Sequence, residues 1–286
     1  MSHPWQYDES IQVGTDYRDE AEVGAYDRRM QRLRDIGNEA KEIQSALALL
    51  PESTVWEIGT GTGECALALA RQVKHVCAVD VSPAMLAYAS RKARQRHIDN
   101  VRFEIGGFFS GYRPDSPVDG IVTQLALHHL PDFWKSRAID GMAHRLRPGG
   151  RLYLRDVVFP STIENHDRFF QAVIDEMRSK VGEEVVQQTI QHIRTEYSTL
   201  DWILEGMLVR SGLKILETEN QGFLSVYVCE RWPRTPAAGS RAVPQIQSLL
   251  RLCVLYRKKD LTRAAEDFWL HEPATSSIQR AFRIRH

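Results

Sequence analysis

Residues 54–63 read T-V-W-E-I-G-T-G-T-G, and the next apolar run, V-C-A-V-D, ends on Asp80. Val55, Trp56 and Ile58 suit a buried strand. Gly59, Gly61 and Gly63 then let the backbone turn tightly against a ligand. C-A-L-A-L-A-R resumes with helical spacing, and a second strand carries the chain to Asp80. Glu57 and Asp80 are 23 residues apart. That is about the length of one strand–helix–strand unit, and near the roughly 20-residue offset at which an acid meets a ribose. A unit of this kind is built to hold a nucleoside.

The turn itself narrows the choice of nucleoside. A dinucleotide fingerprint is G-x-G-x-x-G, with the helix N-terminus facing a pyrophosphate. Here the spacing is G-x-G-x-G, Glu57 precedes the turn and Glu64 follows it. Carboxylates on such a loop repel a pyrophosphate and suit an ammonium group. E-I-G-T-G-T-G resembles motif I of the class I S-adenosylmethionine-dependent methyltransferases. The resemblance implies that Glu57, Gly59, Thr60, Gly61 and Gly63 lie against the methionine part of that cofactor. Asp80, followed by Val81, matches the acid that binds both ribose hydroxyls.

The same resemblance continues to about residue 230. Ser82-Pro83 reads as an N-cap with proline at the first helical position, and V-R-F-E-I-G follows as a third strand. V-D-G-I-V-T-Q-L is a fourth strand, ending at Gln124, a further expected cofactor contact. A helix over about 132–146 stops at R-P-G-G, and R-L-Y-L-R-D-V-V is the fifth strand. T-L-D-W-I-L-E-G-M-L-V-R-S-G reads as an amphipathic helix, and K-I-L-E-T-E-N with L-S-V-Y-V-C-E as a closing hairpin. The implied fold is α/β: a Rossmann-like, doubly wound seven-stranded sheet, mostly parallel with an antiparallel last strand. An N-terminal helical cover and a C-terminal helical extension flank it. Domain limits follow: 1–50 a cover, 51–231 the methyltransferase domain, 232–286 a linker and basic extension.

Composition sets the outer bounds. The 286 residues are 43% hydrophobic and carry no formal net charge, enough for one substantial core and no global field that recruits nucleic acid or anionic membrane. Cys65, Cys77, Cys229 and Cys253 are scattered without C-x-x-C spacing, which argues against a zinc cluster or disulfide framework; no metal is expected. The first three fall in core elements, and a reducing cytoplasm is the simplest setting. No apolar run reaches membrane-spanning length, and the N-terminus does not read as a signal peptide. From Trp232 to His286 there are ten Lys/Arg and four Asp/Glu, so this stretch is +6 and the remainder −6. It reads as an amphipathic helix beyond a proline-rich linker. Packing on the domain or on a second subunit, in a homodimer, is the common use of such a stripe; an RNA contact is the alternative.

Two segments frame the ligand. In the N-terminal fifty residues, Tyr17 and Tyr26 are candidates to reach the methionine part of the cofactor, with Arg28 and Arg29 as carboxylate contacts; packing of Tyr26 and solvated arginines are the alternative. The insertion at 161–198 carries His166, Phe169, Phe170, His192 and Tyr197. Inserts at this point roof the acceptor site in related enzymes, although core packing is the commoner role of any one aromatic.

After the third strand many family members place an acid that receives the adenine amino group. This chain has Gly106-Gly107-Phe108, so Gly107 stands where that acid is expected. Adenine is left with backbone groups near Phe108 and with apolar contact. Methyl transfer from a sulfonium is an in-line displacement in which alignment supplies much of the catalysis, and a base is needed only for a protonated acceptor. His128 and His129 follow the fourth strand. His128 is the better candidate base, since His129 precedes Leu130 at an inward-facing helix entry; a supporting structural role is the commoner use of either. Arg155 and Asp156 are secondary candidates on the acceptor side. The expected acceptor is a small molecule. A tRNA or other RNA acceptor, carried by the basic tail, remains open, as does a protein that binds the cofactor without transferring its methyl group.

Overall fold

The computed structural model describes residues 4–11, 23–27, 30 and 34–232. The basic tail, Tyr17, Arg28 and Arg29 lie outside the described residues. The chain alternates strand and helix: α1 (Ile36–Ala46), β1 (Thr54–Ile58), α2 (Glu64–Leu69), β2 (His75–Asp80), α3 (Pro83–Gln95), β3 (Val101–Ile105), β4 (Val118–Gln124) and, after a 3-10 turn over Leu127–His129, α4 (Asp132–Arg145). Then come β5 (Leu146–Phe159), α5 (His166–Val181), α6 (Glu183–Thr195), β6 (Thr199–Leu200), α7 (Asp201–Arg210), β7 (Leu213–Gln221) and β8 (Leu224–Arg231). A short helical segment at 23–27 precedes them.

The strands form one sheet in the order β3-β2-β1-β4-β5-β8-β7. β1 pairs in parallel with β2 on one side and β4 on the other, so the winding reverses between β1 and β4. Ligands of open α/β sheets bind at such a reversal, beyond the carboxyl ends of the strands. β8 runs antiparallel to both β5 and β7, as the sequence leads one to expect. The expected seven strands are joined by an eighth, the two-residue β6, which pairs in parallel with β5 at Val158 and Phe159. It was not legible because two residues carry no periodicity.

Alternation across β1 explains the layering. Trp56 and Ile58 face one core with Ile121, Leu152 and Leu154, covered by α4 and α7. Val55 faces the opposite core with Val76, Val122 and Ile43, covered by α1 and α2. Burial on both faces demands apolar runs without polar alternation, the pattern of a central parallel strand. Ser82 caps α3 by accepting from the Met85 N–H at 3.2 Å. Cys65, Cys77 and Cys229 are free and buried, packing as small hydrophobes. The insertion folds as two helices, α5 and α6, hinged at Gly182 (φ +88°). Phe170 packs edge-on against Phe159 and Phe169, with centroids at 5.3 and 5.4 Å. Among the described residues no helix is long and apolar enough to cross a membrane.

Candidate functional site

The glycine turn sits at the carboxyl end of β1 and is tied to β2: Gly59 and Thr60 donate their N–H groups to the Val79 carbonyl at 2.9 and 3.0 Å. Gly59 has φ +75°, and a Cβ there would fall 2.5 Å from the Ala126 methyl. Glycine is therefore required by both conformation and space. Asp80 ends β2 with both carboxylate oxygens oriented by the backbone, accepting from Gly61 N at 2.8 Å and Ser82 N at 2.9 Å. Burial raises its pKa against these hydrogen bonds. Glu57 is buried beneath the turn and accepts from Thr60 Oγ1 at 2.9 Å. Burial pushes it up to about 7, against the opposing pull of Thr60, Cys65 and Arg34. Glu64, like Glu57, lies beside the turn. Its carboxylate is held by Lys92 and Arg96 at 2.6 and 2.9 Å, because at the first turn of α2 it points toward α3.

A cavity of about 490 Å³ opens beyond the strand ends. Gly59, Gly61, Asp80, Val81, Gly107 and Phe108 line one end; Tyr26, Gln124 and His128 also border it. A smaller cavity of about 50 Å³ adjoins the turn, lined by Glu57 and Thr60 among others. Every described cofactor candidate except Gly63 therefore borders one of the two. Gly63 instead lets α2 approach its neighbours: at φ +76° its Cβ would lie 2.8 Å from Ala89 and 3.0 Å from Phe103. Gln124 accepts from Arg34 Nη2 at 3.0 Å. Arg34 also forks onto Glu39, which Arg155 contacts from the other side at 3.1 Å. Leu125, next in the chain, has φ +52°, a strained conformation for a branched side chain at the rim of a site.

The N-terminal segment supplies a group that no motif announces. Glu9 reaches the end of β3, where its carboxylate accepts from the backbone N–H groups of Phe108, Phe109 and Ser110 at 2.7, 3.0 and 2.7 Å. The Ser110 hydroxyl adds a fourth bond at 2.6 Å. A Cβ on Gly107 would lie 2.5 Å from Glu9 Oε2. A carboxylate from the N-terminal segment thus occupies the space beside Gly107.

The far end of the cavity is a cluster of histidines and acids. Asp156, three residues before the end of β5, accepts from Leu127 N and His128 N at 2.7 and 3.2 Å and contacts His128 Nδ1. His128 Nε2 lies 2.9 Å from Glu196, just after α6. Burial opposes protonation of His128, yet Asp156 and Glu196 outweigh it and raise its pKa to about 9. His129 is driven the other way, to about 4, by burial and by its neighbour His128. The side chain of His128 is 6% exposed and that of His129 is 29% exposed. The inward-facing residue of the pair is therefore His128, the reverse of the sequence-based assignment, because the 3-10 turn rotates the pair relative to a helix entry. His192 enters from α6. Its spacing from Glu196, H-x-x-x-E across the end of α6, was a readable signal. Nothing in the sequence pointed to Glu9 or Arg34.

Comparison with known proteins adds a family to this geometry. A family model described as a methyltransferase domain matches residues 55–150, the span from β1 into β5. An uncharacterized methyltransferase of Geobacillus sp. (strain WCH70) is 29% identical over 204 residues, covering 71% of this chain and 88% of the relative. Among solved structures, an S-adenosylmethionine-dependent methyltransferase from Clostridium acetobutylicum superposes with a TM-score of 0.56 at 12% identity, covering 74% of this chain and 98% of that one. Magnesium protoporphyrin IX methyltransferase from Synechocystis, with S-adenosylhomocysteine bound, gives a TM-score of 0.51 at 19% identity, covering 75% and 97%. At these identities the two structures speak for the fold.

Proposed function

The chain belongs to the class I S-adenosylmethionine-dependent methyltransferases, and we propose that it methylates a small-molecule acceptor enclosed between the glycine turn and the His128–Glu196 cluster. The observation that carries this reading is the cavity. It runs from Asp80 and Gly61 to His128 and Glu196, and side chains of α5 and α6, among them Met177, Val185 and Thr189, border it as well. A concave, mixed-polarity site of this volume suits a cofactor and a compact acceptor.

In this reading Asp80 accepts from both ribose hydroxyls, its oxygens already oriented by Gly61 and Ser82. Val81 and Phe108 contact the adenosine, while Glu57, Thr60, Tyr26 and Gln124 surround the methionine part. Arg34 takes the role of carboxylate partner for which Arg28 and Arg29 were candidates, since it borders the cavity and already forms a planar fork onto Glu39. Glu9 substitutes for the acid absent at Gly107 and receives the adenine amino group on Oε2. The methyl group then lies toward His128, and α5–α6 roof the acceptor. With the sulfonium already activated, holding the acceptor in line behind the methyl carbon supplies most of the rate.

The test is product analysis with the full-length protein and S-adenosylmethionine carrying a labelled methyl group. Cell extract is split into a dialysable fraction and a purified RNA fraction. The expected result is label in the dialysable fraction with stoichiometric S-adenosylhomocysteine. Label in the RNA fraction alone overturns the small-molecule reading and favours the basic tail as an RNA contact.

A further inference from the structure

We propose that His128, His129 and Glu196 form a binding site for one divalent transition-metal ion of the zinc class, at the acceptor end of the cavity. His128 Nε2 and His129 Nδ1 lie 2.9 and 3.5 Å from Glu196 Oε2. One donor atom from each of the three residues falls within 4.8 Å of the others. Metal–ligand bonds of about 2.1 Å give a tetrahedron with edges of about 3.4 Å, close to these separations. Yet Glu196 Oε2 and His129 Nδ1 are both buried without a hydrogen-bond partner. His129 Nδ1 is thus a donor atom with no partner of its own facing Glu196 Oε2, while His128 Nε2 faces the same oxygen in an ion pair that a metal ion would replace.

The surroundings fit a metal site in three further respects. Asp156 holds His128 Nδ1, the carboxylate–histidine arrangement that fixes the tautomer and turns Nε2 toward a metal. Asp156 and Glu196 together bring two negative charges into the interior, which one divalent ion balances with neutral imidazoles. His192 Nδ1 stands 2.8 Å from the same Glu196 oxygen, and its other nitrogen is engaged by Ser198 Oγ at 2.9 Å; it is a positioning residue for Glu196. The donor set of imidazoles and one carboxylate, without thiolate, suits zinc, iron(II), cobalt(II) or nickel(II) rather than magnesium or calcium. All three ligands border the cavity, so the fourth coordination position opens onto it.

The metal's use in the reaction, unlike its binding, rests on the methyl-transfer reading. An acceptor hydroxyl takes the fourth position, and coordination lowers its pKa so that its proton passes to water. The oxygen lone pair then forms the new O–CH3 bond as the S–CH3 bond breaks. That bond's electron pair stays on sulfur, giving S-adenosylhomocysteine. The methylated oxygen, a weaker ligand, leaves the metal.

The experiment uses the full-length chain, made without a histidine tag or chelating resin. Elemental analysis is expected to find about one transition-metal equivalent per chain. After dialysis against EDTA, cobalt(II) is expected to restore one equivalent with the intense visible absorption of a four-coordinate site. His129→Ala and Glu196→Gln should each weaken cobalt binding by 100-fold or more. Asp156→Asn should weaken it by about 10- to 100-fold, as for the outer partner of a ligating histidine. Circular dichroism checks that each variant is folded. No bound metal and no cobalt absorption in the wild-type chain, or unchanged cobalt affinity in both folded ligand variants, overturns the site. Catechol, as a hydroxyl probe, should shift the cobalt spectrum; an unchanged spectrum overturns the acceptor step. S-adenosylhomocysteine calorimetry on the same wild-type sample separates the two readings. Cobalt binding without that ligand sinks only the methyl-transfer reading, and the converse sinks only the metal site.

Discussion

Glu9 and Phe108, 99 residues apart in sequence, meet through a 2.7 Å hydrogen bond in which the Phe108 backbone N–H donates to Glu9 Oε2. The neighbouring Gly107 has no room for a Cβ while that carboxylate is in place. Position 107 and position 9 are therefore alternatives for supplying one acid. Glu9→Ala should weaken S-adenosylhomocysteine binding by roughly 10- to 100-fold, the worth of a hydrogen bond to a charged group. Gly107→Asp alone sets a second carboxylate against the first and should also weaken binding. Combining Glu9→Ala with Gly107→Asp should recover affinity to within about threefold of wild type. Calorimetry of the four proteins checks this, and a double variant weaker than both single ones would refute the exchange.

Glu57 links cofactor binding to stability. Its ordinary pKa is 4.5 and burial raises it to about 7. Between those values the folded state binds more protons than the unfolded state, so stability of the cofactor-free protein falls as pH rises through this window and is level above it. The gap corresponds to at most roughly 3 kcal/mol. Glu57→Gln never ionises. Its melting temperature should exceed that of the wild type at pH 8 and match it near pH 4.5. The same change removes the negative charge assigned to the cofactor's ammonium group, so S-adenosylhomocysteine affinity at pH 8 should fall about tenfold or more. Scanning calorimetry at the two pH values tests the first part. An equal difference in melting temperature at both would show that Glu57 does not ionise on folding as described.

Much of this arrangement was legible before any coordinates. Glycines at 59, 61 and 63 and the acid at 80 are local signals, because a tight turn and the end of a strand dictate residue type over a few positions. The parallel strands were readable for the same reason: burial on both faces leaves continuous apolar runs. What escaped was contact between distant segments. Glu9 sits in a polar stretch, and only the fold of the first ten residues carries it to the end of β3. Glu196 follows α6 by one residue and becomes meaningful only when the 3-10 turn presents His128 and His129 to it. The cysteine pattern bears only on thiolate clusters and is silent on a site made of imidazole and carboxylate. The inward-facing member of the histidine pair was misassigned because a three-residue 3-10 turn does not follow helical phase.

Asp80 is expected to be indispensable in a particular way. Its two oxygens accept from Gly61 N and Ser82 N, so one carboxylate both shapes the turn and faces the cavity. Asp80→Asn presents an amide N–H to one of these backbone donors and removes the charge that receives the ribose hydroxyls. S-adenosylhomocysteine affinity should fall roughly 100-fold, and the protein should lose about 1–3 kcal/mol of stability from the mismatched buried donor. Calorimetry and urea unfolding read these two effects separately. A loss of affinity below threefold would remove Asp80 from the ribose assignment.

Lys92 fastens the N-terminal cover to the glycine turn. Its buried ammonium lies 2.9 Å from Asp27 Oδ1 and 2.6 Å from Glu64 Oε1, and Thr62 Oγ1 donates to the same Asp27 oxygen at 2.7 Å. Helical segment 23–27, the turn and α3 thereby share one buried cation. Lys92→Met keeps the stem but leaves two carboxylates facing each other, Glu64 retaining Arg96. Breaking a buried pair from one side costs about 3–5 kcal/mol, and partial compensation by Arg96 and Thr62 brings the expectation to the lower end. Because the contact pins the cover, limited proteolysis should cut ahead of residue 34 sooner in the variant, and cofactor affinity should drop with it. Removing the second partner as well should reverse part of the loss: Asp27→Asn added to Lys92→Met buries one negative charge fewer, and its unfolding free energy should lie above that of Lys92→Met alone. A double variant less stable than the single one would show that Asp27 is held chiefly by partners other than Lys92, Thr62 among them, and that Lys92 acts through Glu64.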